Sequence, residues 1–223
     1  MRFSVKYLPT TLFSLKDSNA TNSGAKSLFL PSPYAIKMAI LNQAITVGGE
    51  FERLSSNNSK QFKFIRDTKI NYYIEDGSYF STNNSFVKIL KPAREGGGFI
   101  QTVSFREYLY LSSPLEVIFE VDIEEQAQYL KNYLHRINYF GKRGCFFQFV
   151  EYIDSPAEAN VVEFNAENIG FGLLQGYDDF EANAKFENAN IFTSANAKRV
   201  QKVLVLPVIQ INSSKGYCVY KKK

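Results

Sequence analysis

The segment "LEVIFEVDIEEQAQYLKNYLHRINYFGKRGCFFQFVEYI", residues 115–153, contains the features of a strand, a helix and a second strand in succession. The first seven residues are mostly apolar and β-branched or aromatic, which favours a buried strand. Apolar residues then repeat at helical spacing from Ile123 to Ile137, and Asp122 with Glu125 predicts a capping box. Gly141 suits the left-handed conformation that ends a helix, and "CFFQFVEYI" at 145–153 predicts a strand.

Elements of the same kinds occur earlier in the chain. "RFSVKYL" at 2–8 alternates polar and apolar side chains, as a strand does. Ser32 is a natural N-cap with Pro33 behind it, and Gly48-Gly49 follows, which predicts a helix over about 33–46. "FREYLYL" at 105–111 and the strand at 115–121 predict a compact hairpin. The order predicts an α+β, ferredoxin-like β-α-β-β-α-β domain, the fold of RNA-recognition motifs.

An insertion of extended segments and loops is expected at about 48–104, between the first helix and this hairpin. "SFVKILK" at 85–91 alternates, "PAREGGG" at 92–98 is rich in glycine, and "FIQTVS" leads back. We therefore predict a protruding hairpin, the arm, with a basic end.

The ferredoxin-like domain is predicted to occupy residues 1–153, and 154–223 to form a β-rich C-terminal extension. Residues 154–192 are polar, acidic and rich in asparagine, without a clear element. "VQKVLVLPVIQI" at 200–211 and "GYCVY" at 216–220 predict a closing hairpin.

Composition excludes some classes of protein and favours one class of partner. The chain has 223 residues, 45% of them hydrophobic, and a net charge of +4. Residues 1–153 hold 18 Lys and Arg against 14 Asp and Glu, whereas residues 154–223 hold eight of each. The excess favours a polyanionic partner for the first part. Two cysteines are too few for a disulfide framework and predict buried, reduced thiols.

The chain is expected to be cytoplasmic and without membrane association. Its N-terminus lacks the apolar core of a signal peptide. Its longest apolar run, at 203–209, is far shorter than the roughly 20 residues that cross a bilayer.

No convincing active site or cofactor site is predicted. The one histidine, His135, is expected in the middle of the second helix on a solvated face, and with two distant cysteines it cannot form a usual zinc site. Asp178 and Asp179 suggest a metal-binding pair, although adjacent acids in an asparagine-rich loop are more often plain solvated surface. Phosphate-binding and hydrolase motifs are missing from the sequence.

Three basic features have binding character. "GKRG" at 141–144 combines flexible glycines with Lys142 and Arg143, which suit phosphates, although such cations also suit a helix C-terminus. The arm carries Lys88, Lys91 and Arg94 near Phe86 and Phe99, or it is a plain surface hairpin. Arg106 and Tyr108 share one face of a strand opposite Glu107, or Arg106 belongs to an ordinary cross-strand charge pair. Cations interleaved with aromatic rings on such a sheet favour single-stranded RNA.

The order of these motifs resembles the fifth CRISPR-associated protein family (Cas-five), within the repeat-associated (RAMP), ferredoxin-like RNA-binding superfamily. The resemblance is carried by "SLKDSNATNSGAKSLFLPSPYAIKMAIL" at 14–41, "SFVKILK", "FREYLYL" and "INYFGKRGCFFQF" at 137–149. It spans roughly residues 10–153, and its specificity lies in the order and spacing of the motifs.

The resemblance implies a small subunit of a type I Cascade complex that caps the 5′ repeat-derived handle of the CRISPR RNA. Its implied partners are that RNA, the first backbone subunit, the large subunit and target DNA near the PAM. The arm corresponds to the thumb that wraps the RNA, and "GKRG" to the region after the second helix. Further implied contacts are Lys37 and Tyr34 in the first-helix region, with Lys16 and Lys26 before it.

Two alternatives remain open at this stage. Some members of the family cleave the repeat without a metal, using Tyr, Lys and His, and such cleavage needs both a base and an acid. His135 alone does not supply that set, so we expect a binding protein and not an enzyme. The other alternative is a structural module whose basic residues only keep it in solution.

Overall fold

The computed structural model describes residues 1–20, 26–167, 171–190 and 192–223, so that 21–25, part of one family-like motif, lie outside the described residues. The strands are β1 (Arg2–Pro9), β2 (Leu15–Lys16), β3 (Ser27–Leu28), β4 (Lys69–Tyr73), β5 (Tyr79–Pro92), β6 (Phe99–Leu111), β7 (Leu115–Glu120), β8 (Phe147–Ile153), β9 (Val162–Glu163), β10 (Leu173–Phe180), β11 (Arg199–Leu206), β12 (Val208–Ser214) and β13 (Tyr217–Lys222). The helices are α1 (Pro33–Thr46), α2 (Phe51–Ser55), α3 (Lys60–Asp67), α4 (Glu124–Leu134) and α5 (Phe186–Ala189).

An antiparallel sheet with strand order β4-β7-β1-β8 forms the centre of the molecule. Helix α1 lies between β1 and β4 in the chain, and α4 lies between β7 and β8. Numbering these four strands along the chain gives the spatial order two, three, one, four, which is the ferredoxin-like arrangement. The predicted α+β, ferredoxin-like fold is therefore confirmed.

The second strand of this sheet is not the predicted one. It is β4, which pairs with β7 through Ile70 and Phe119, whereas 105–111 forms part of β6 in another sheet. The insertion at about 48–104 was expected to contain extended segments and loops, but Phe51–Ser55 and Lys60–Asp67 form the helices α2 and α3. Ser59 caps α3 by accepting a hydrogen bond from the Phe62 N–H at 3.1 Å. Helices of five and eight residues are too short to show a helical repeat in the sequence.

The two long helices differ in how well the sequence predicted them. Helix α1 has the predicted bounds, and the Ser32 hydroxyl accepts from the Ala35 N–H at 3.1 Å. Helix α4 begins without a side-chain cap, so the predicted Asp122–Glu125 capping box is wrong. Gln126 instead accepts from the Asp122 N–H at 3.0 Å. His135 follows the last residue of α4, and Gly141 lies well beyond it.

The C-terminal residues complete two further sheets, with strand orders β10-β11-β9 and β12-β13-β5-β6. The predicted closing hairpin is found only in part. Its second half forms β12, which pairs with β13, whereas its first half forms β11, which pairs with β10. Pro207 separates β11 from β12, and its lack of an N–H suits a break between ladders. The division into domains at residue 153 stays a prediction.

Aromatic side chains fill much of the core. Phe147 packs against Phe13 at 5.1 Å and Phe140 at 5.0 Å between ring centroids, and Phe29 packs against Phe80 at 5.0 Å. Both thiols are free, and Cys145 is buried as predicted, whereas Cys218 is only half-buried. Among the described residues no helix is both long and apolar enough to cross a membrane.

Candidate nucleic-acid interface

The arm is the outer part of the β5–β6 hairpin. These strands pair continuously from Phe80 with Leu111 to Pro92 with Phe99, but β13 pairs with β5 only as far as Asn83. Residues 85–106 therefore form a two-stranded ribbon beyond the sheet, and we define the arm by this range. Gly96, Gly97 and Gly98 at its tip all have positive φ, which glycine adopts without strain.

Cross-strand partners lie on the same face of the arm, so the register assigns its side chains to two faces. The first face carries Asn84 and Glu107 at the foot of the arm, then Phe86 and Phe105, and then Lys88 towards the tip. The second face carries Lys91, Arg106 and Tyr108, so Arg106 and Tyr108 lie opposite Glu107. The predicted cations of this hairpin are thus divided between both faces.

Large apolar side chains on the arm are open to solvent. Phe86 is 77% exposed and Phe99 is 72% exposed. Phe86 contacts Phe105 edge-on, with ring centroids 5.3 Å apart. Clusters of exposed apolar side chains often mark an interaction site.

The cations of the arm have no acidic neighbours. Lys88, Lys91 and Arg94 are exposed, and none forms an ion pair or hydrogen bond through its side chain with any residue that the structure describes. Some other surface lysines are paired: Lys60 lies 2.6 Å from Glu125, and Lys202 lies 2.9 Å from Glu163. Unpaired cations remain available to a phosphate.

The "GKRG" loop is an exposed turn on a buried support. Gly141 and Gly144 have φ values of +71° and +100°, and the Cys145 N–H closes the turn on the Lys142 carbonyl at 3.2 Å. Lys142 and Arg143 are exposed, with no side-chain partner in the described part of the chain. Since α4 ends at Leu134, Lys142 and Arg143 lie beyond its last turn and do not interact with the dipole at its C-terminus.

A short strap connects this loop to the foot of the arm. Gly141 packs closely against Leu15, and the Leu15 N–H donates to the Ser27 hydroxyl at 2.9 Å. The Ser27 N–H donates to Glu107 at 2.7 Å. The strap is the β2–β3 pair. Lys16 ends β2, Lys26 directly precedes β3, and both side chains are exposed. The loop and the arm therefore flank one segment that bears two more predicted cations.

The structure corrects the prediction for Lys37. Its side chain is 2% exposed, and its ammonium group lies 2.6 Å from Asp179 Oδ1 and donates to the Arg66 carbonyl at 2.8 Å. Burial lowers the pKa of this ammonium group, and the neighbouring Asp179 acts in the opposite direction. Lys37 stabilises the interior and cannot reach RNA.

Tyr34 is also engaged within the protein. Its ring packs against Phe180 at 4.7 Å, and the Arg199 guanidinium lies 4.0 Å from the ring centroid. This ring is already part of a cation–π contact, so it is not free to stack on a base.

The Asp178-Asp179 pair fits neither of its two predicted interpretations, a metal-binding pair or a solvated loop surface. Both residues belong to β10 and each has its own cation, since Asp178 lies 3.5 Å from Arg199 and Asp179 binds Lys37. Within the described ranges, no group of three or more His, Cys, Asp and Glu residues could hold a metal ion.

His135 lies at the end of α4 and is exposed. Its Nδ1 is 2.9 Å from the Lys131 carbonyl oxygen, which can only accept, so Nδ1 carries the proton. The adjacent cavity of about 430 Å³ is also lined by Thr10, Arg136 and Gln148. A tyrosine and a lysine lie beside His135, because the Tyr152 hydroxyl donates to the same Lys131 carbonyl at 2.6 Å, but neither residue lines this cavity.

Sequence reasoning missed a second cavity, of about 300 Å³, at the foot of the arm. Thr82, Asn84 and Glu107 line it, together with Phe105 and residues of β3, β10 and β13. The signal in the sequence is a run of polar residues at 81–85 of β5, and that pattern is also typical of a solvated strand.

No protein-family model matches this chain, and no curated protein matches it. Among solved structures, a CRISPR protein from Archaeoglobus fulgidus has a TM-score of 0.44 and 12% sequence identity. That comparison covers 100% of this chain and 92% of the other. A likeness of this size carries no information about activity or partners, so the residues themselves must support any function.

Proposed function

We propose that this protein binds single-stranded RNA without cleaving it. In this proposal it is the Cascade subunit that caps the 5′ handle of a CRISPR RNA and contacts the backbone and large subunits. The observation that carries the RNA-binding part is the set of unpaired cations on the arm and the loop, together with the exposed aromatic rings of the arm. The CRISPR assignment rests on the resemblance of the sequence motifs.

The chemistry of the surface fits a flexible polyanion better than a compact anion. The cations lie on both faces of a ribbon, on the strap and on a separate turn, so no single small ligand spans them. An RNA strand offers a phosphate at every nucleotide and bases that stack on Phe or Tyr. Arginine adds a planar fork that matches a phosphate oxygen pair.

The loop is tested with single-stranded RNA of mixed sequence by fluorescence anisotropy over a range of salt. The slope of log affinity against log salt falls by about 0.7 for each lost phosphate contact. Lys142→Ala with Arg143→Ala should therefore flatten the slope by about 1.4 and weaken binding at least about tenfold.

The matched control is Lys60→Ala with Lys202→Ala, which removes the same charge from two ion-paired lysines. It should leave the slope unchanged. Equal effects of both double variants would mean that the loop contributes only general positive charge and no specific contact. Absence of RNA binding by the wild-type protein would refute the proposal. Discrete cleavage of labelled repeat RNA in EDTA, lost in His135→Ala, would favour the nuclease instead. Sequencing the RNA that co-purifies with the protein tests the CRISPR assignment.

A further inference from the structure

The cavity at the foot of the arm is lined by polar groups that do not hydrogen-bond fully to other described residues. Thr82 is 3% exposed, yet its hydroxyl has no hydrogen-bond partner among the described residues. The Asn84 amide likewise has none. Glu107 is 6% exposed and uses Oε2 to accept from the Ser27 N–H, while Oε1 has no partner in the described structure. Among the described side chains, Arg2 Nε is the fully enclosed polar atom without a partner, so these three groups are not sealed inside the protein. They face the cavity and are available to a ligand that enters it.

The walls of the cavity suit a flat ring. Phe29, Phe105 and Tyr220 contribute aromatic surface, and Leu173 adds apolar surface. A volume of about 300 Å³ is at the lower end of the range for small-ligand sites, so one heterocycle fits better than an extended ligand. Lys26 is exposed at the rim, where a phosphate attached to the ring could lie.

The free polar groups also define which edge of a ring they would bind. A carboxylate only accepts hydrogen bonds, whereas the Thr82 hydroxyl and the Asn84 amide can donate them. Guanine presents two adjacent N–H donors and a carbonyl acceptor on its Watson–Crick edge. Adenine and cytosine each present only one donor group there, and uracil presents one N–H.

The position of the cavity connects it with the rest of the arm. Asn84 pairs with Glu107 across the hairpin, and the next partners on the same face are Phe86 with Phe105 and Lys88 with Val103. This face therefore runs from the polar cavity to exposed rings and then to an unpaired cation. A strand lying along it would have one base in the cavity, a second beside the rings and a phosphate near Lys88.

We propose that this cavity binds a single unpaired guanine, with Glu107 accepting from its two N–H groups and Asn84 and Thr82 donating to its carbonyl oxygen. The inference rests on the proposed function, because it names the base that the bound RNA inserts at the foot of the arm.

The first experiment measures binding of GMP, IMP and AMP to the purified protein by calorimetry. IMP has the ring and carbonyl of GMP but lacks the amino group, so GMP should bind at least about tenfold more tightly than either competitor. Equal affinities for GMP and IMP, or tighter binding of AMP, would overturn the guanine assignment.

Glu107→Gln tests the carboxylate itself. Glutamine keeps an oxygen that can accept from the Ser27 N–H, but it places a donor where the free oxygen lay, so GMP affinity should fall at least about tenfold. The matched control is Glu116→Gln, a carboxylate that is 5% exposed and bonded to Ser4 in the central sheet. Unchanged GMP affinity in Glu107→Gln would remove this residue from the site. If that variant does not fold, Asn84→Ala at a half-buried position serves instead, with the same expected loss.

Short RNAs then separate this inference from the proposed function. An RNA with one guanosine should bind more tightly than its inosine counterpart, and Glu107→Gln should abolish that difference. Equal, salt-dependent binding of both RNAs would keep RNA binding and refute the guanine site. Failure to bind any RNA would refute the proposed function, and the GMP measurement would then decide the cavity alone.

Discussion

Lys37 lies on the side of α1 that faces β10, and its charge is satisfied only by groups far away in the chain. Asp179 is 142 positions further along, and Arg66 supplies a carbonyl from the end of α3. A lysine next to Tyr34 on a predicted helix gives no local sign of such partners. The exposure of Lys142 and Arg143 could be predicted from local sequence, because flanking glycines and a turn keep side chains at the surface.

Replacing Lys37 by methionine should lower the free energy of unfolding by about 3 kcal/mol, because it leaves the Asp179 carboxylate without its cation. The estimate is at the low end for a buried pair, since the Asp179 side chain is 21% exposed. Urea unfolding at neutral pH measures the change. Lys63→Met, at an exposed position of α3, should stay within about 0.5 kcal/mol of the wild type.

A second replacement shows whether the pair is the cause. Asp179→Asn in the Lys37→Met background removes the unpaired charge but keeps the acceptor for the Phe180 N–H. It should recover most of the lost stability. A Lys37→Met variant as stable as Lys63→Met would mean that the interior tolerates the lone carboxylate.

At the scale of elements, local signals predicted α1 well and the pairing of strands poorly. The Ser32 cap, Pro33 and the glycines after the helix lie within the same short segment as α1, and its bounds followed from them. The turn between 105–111 and 115–121 suggested a hairpin, yet β6 pairs with β5 and β7 pairs with β1 and β4. Strand partners depend on distant residues, which no local pattern encodes.

The arm should be removable without loss of the fold. Deleting residues 88–103 and joining Val87 to Ser104 through Asn-Gly gives a short hairpin, because these two residues are cross-strand partners. The deleted part buries little, so the melting temperature should change by no more than about 4 °C. The variant lacks Lys88, Lys91 and Arg94, and its salt slope for RNA binding should flatten by about 2.

Phe80→Ala provides the contrast within the same strand. Phe80 is fully buried and packs against Phe29, so its truncation should cost about 3–5 kcal/mol. If the shortened protein unfolds as readily as Phe80→Ala, the arm has a structural role. An unchanged salt slope in a well-folded shortened protein would remove the arm from the RNA interface.

For the whole molecule, the C-terminal third is joined to the core by contacts that its composition did not reveal. Strand β13 extends the sheet of the arm, and Asn160 exchanges hydrogen bonds with the backbone of Ile74 at 2.9 and 2.7 Å. The sequence predicted strands near the C-terminus but not their partners. Polar, asparagine-rich segments resemble loops until such partners are known.

Buried tyrosines in separate layers make the stability of the whole molecule sensitive to alkaline pH. Tyr7 and Tyr72 lie in the central sheet and Tyr177 lies in the β10 sheet, and burial raises the pKa of all three phenols. In the unfolded chain a phenol ionises near pH 10, as in model peptides. Above that pH the unfolded chain binds fewer protons than the folded one, so the free energy of unfolding falls as pH rises.

Each tyrosine that stays protonated in the fold should contribute a loss of about 1.4 kcal/mol per pH unit, so these three alone give about 4 kcal/mol per unit. Tyr129 and Tyr152, whose pKa burial also raises, add to the slope. The lowered pKa of Lys37 has the opposite effect, but only until the unfolded lysine loses its proton near pH 10.4. Urea unfolding at successive pH values above 9 measures the slope. Tyr72→Phe should reduce the slope by about 1.4 kcal/mol per pH unit. At neutral pH it should lose about 1 kcal/mol, because the hydrogen bond to the Pro31 carbonyl is removed. A stability that stays level beyond pH 11 would mean that these phenols ionise inside the fold, and the interior would then be open to water at all three positions.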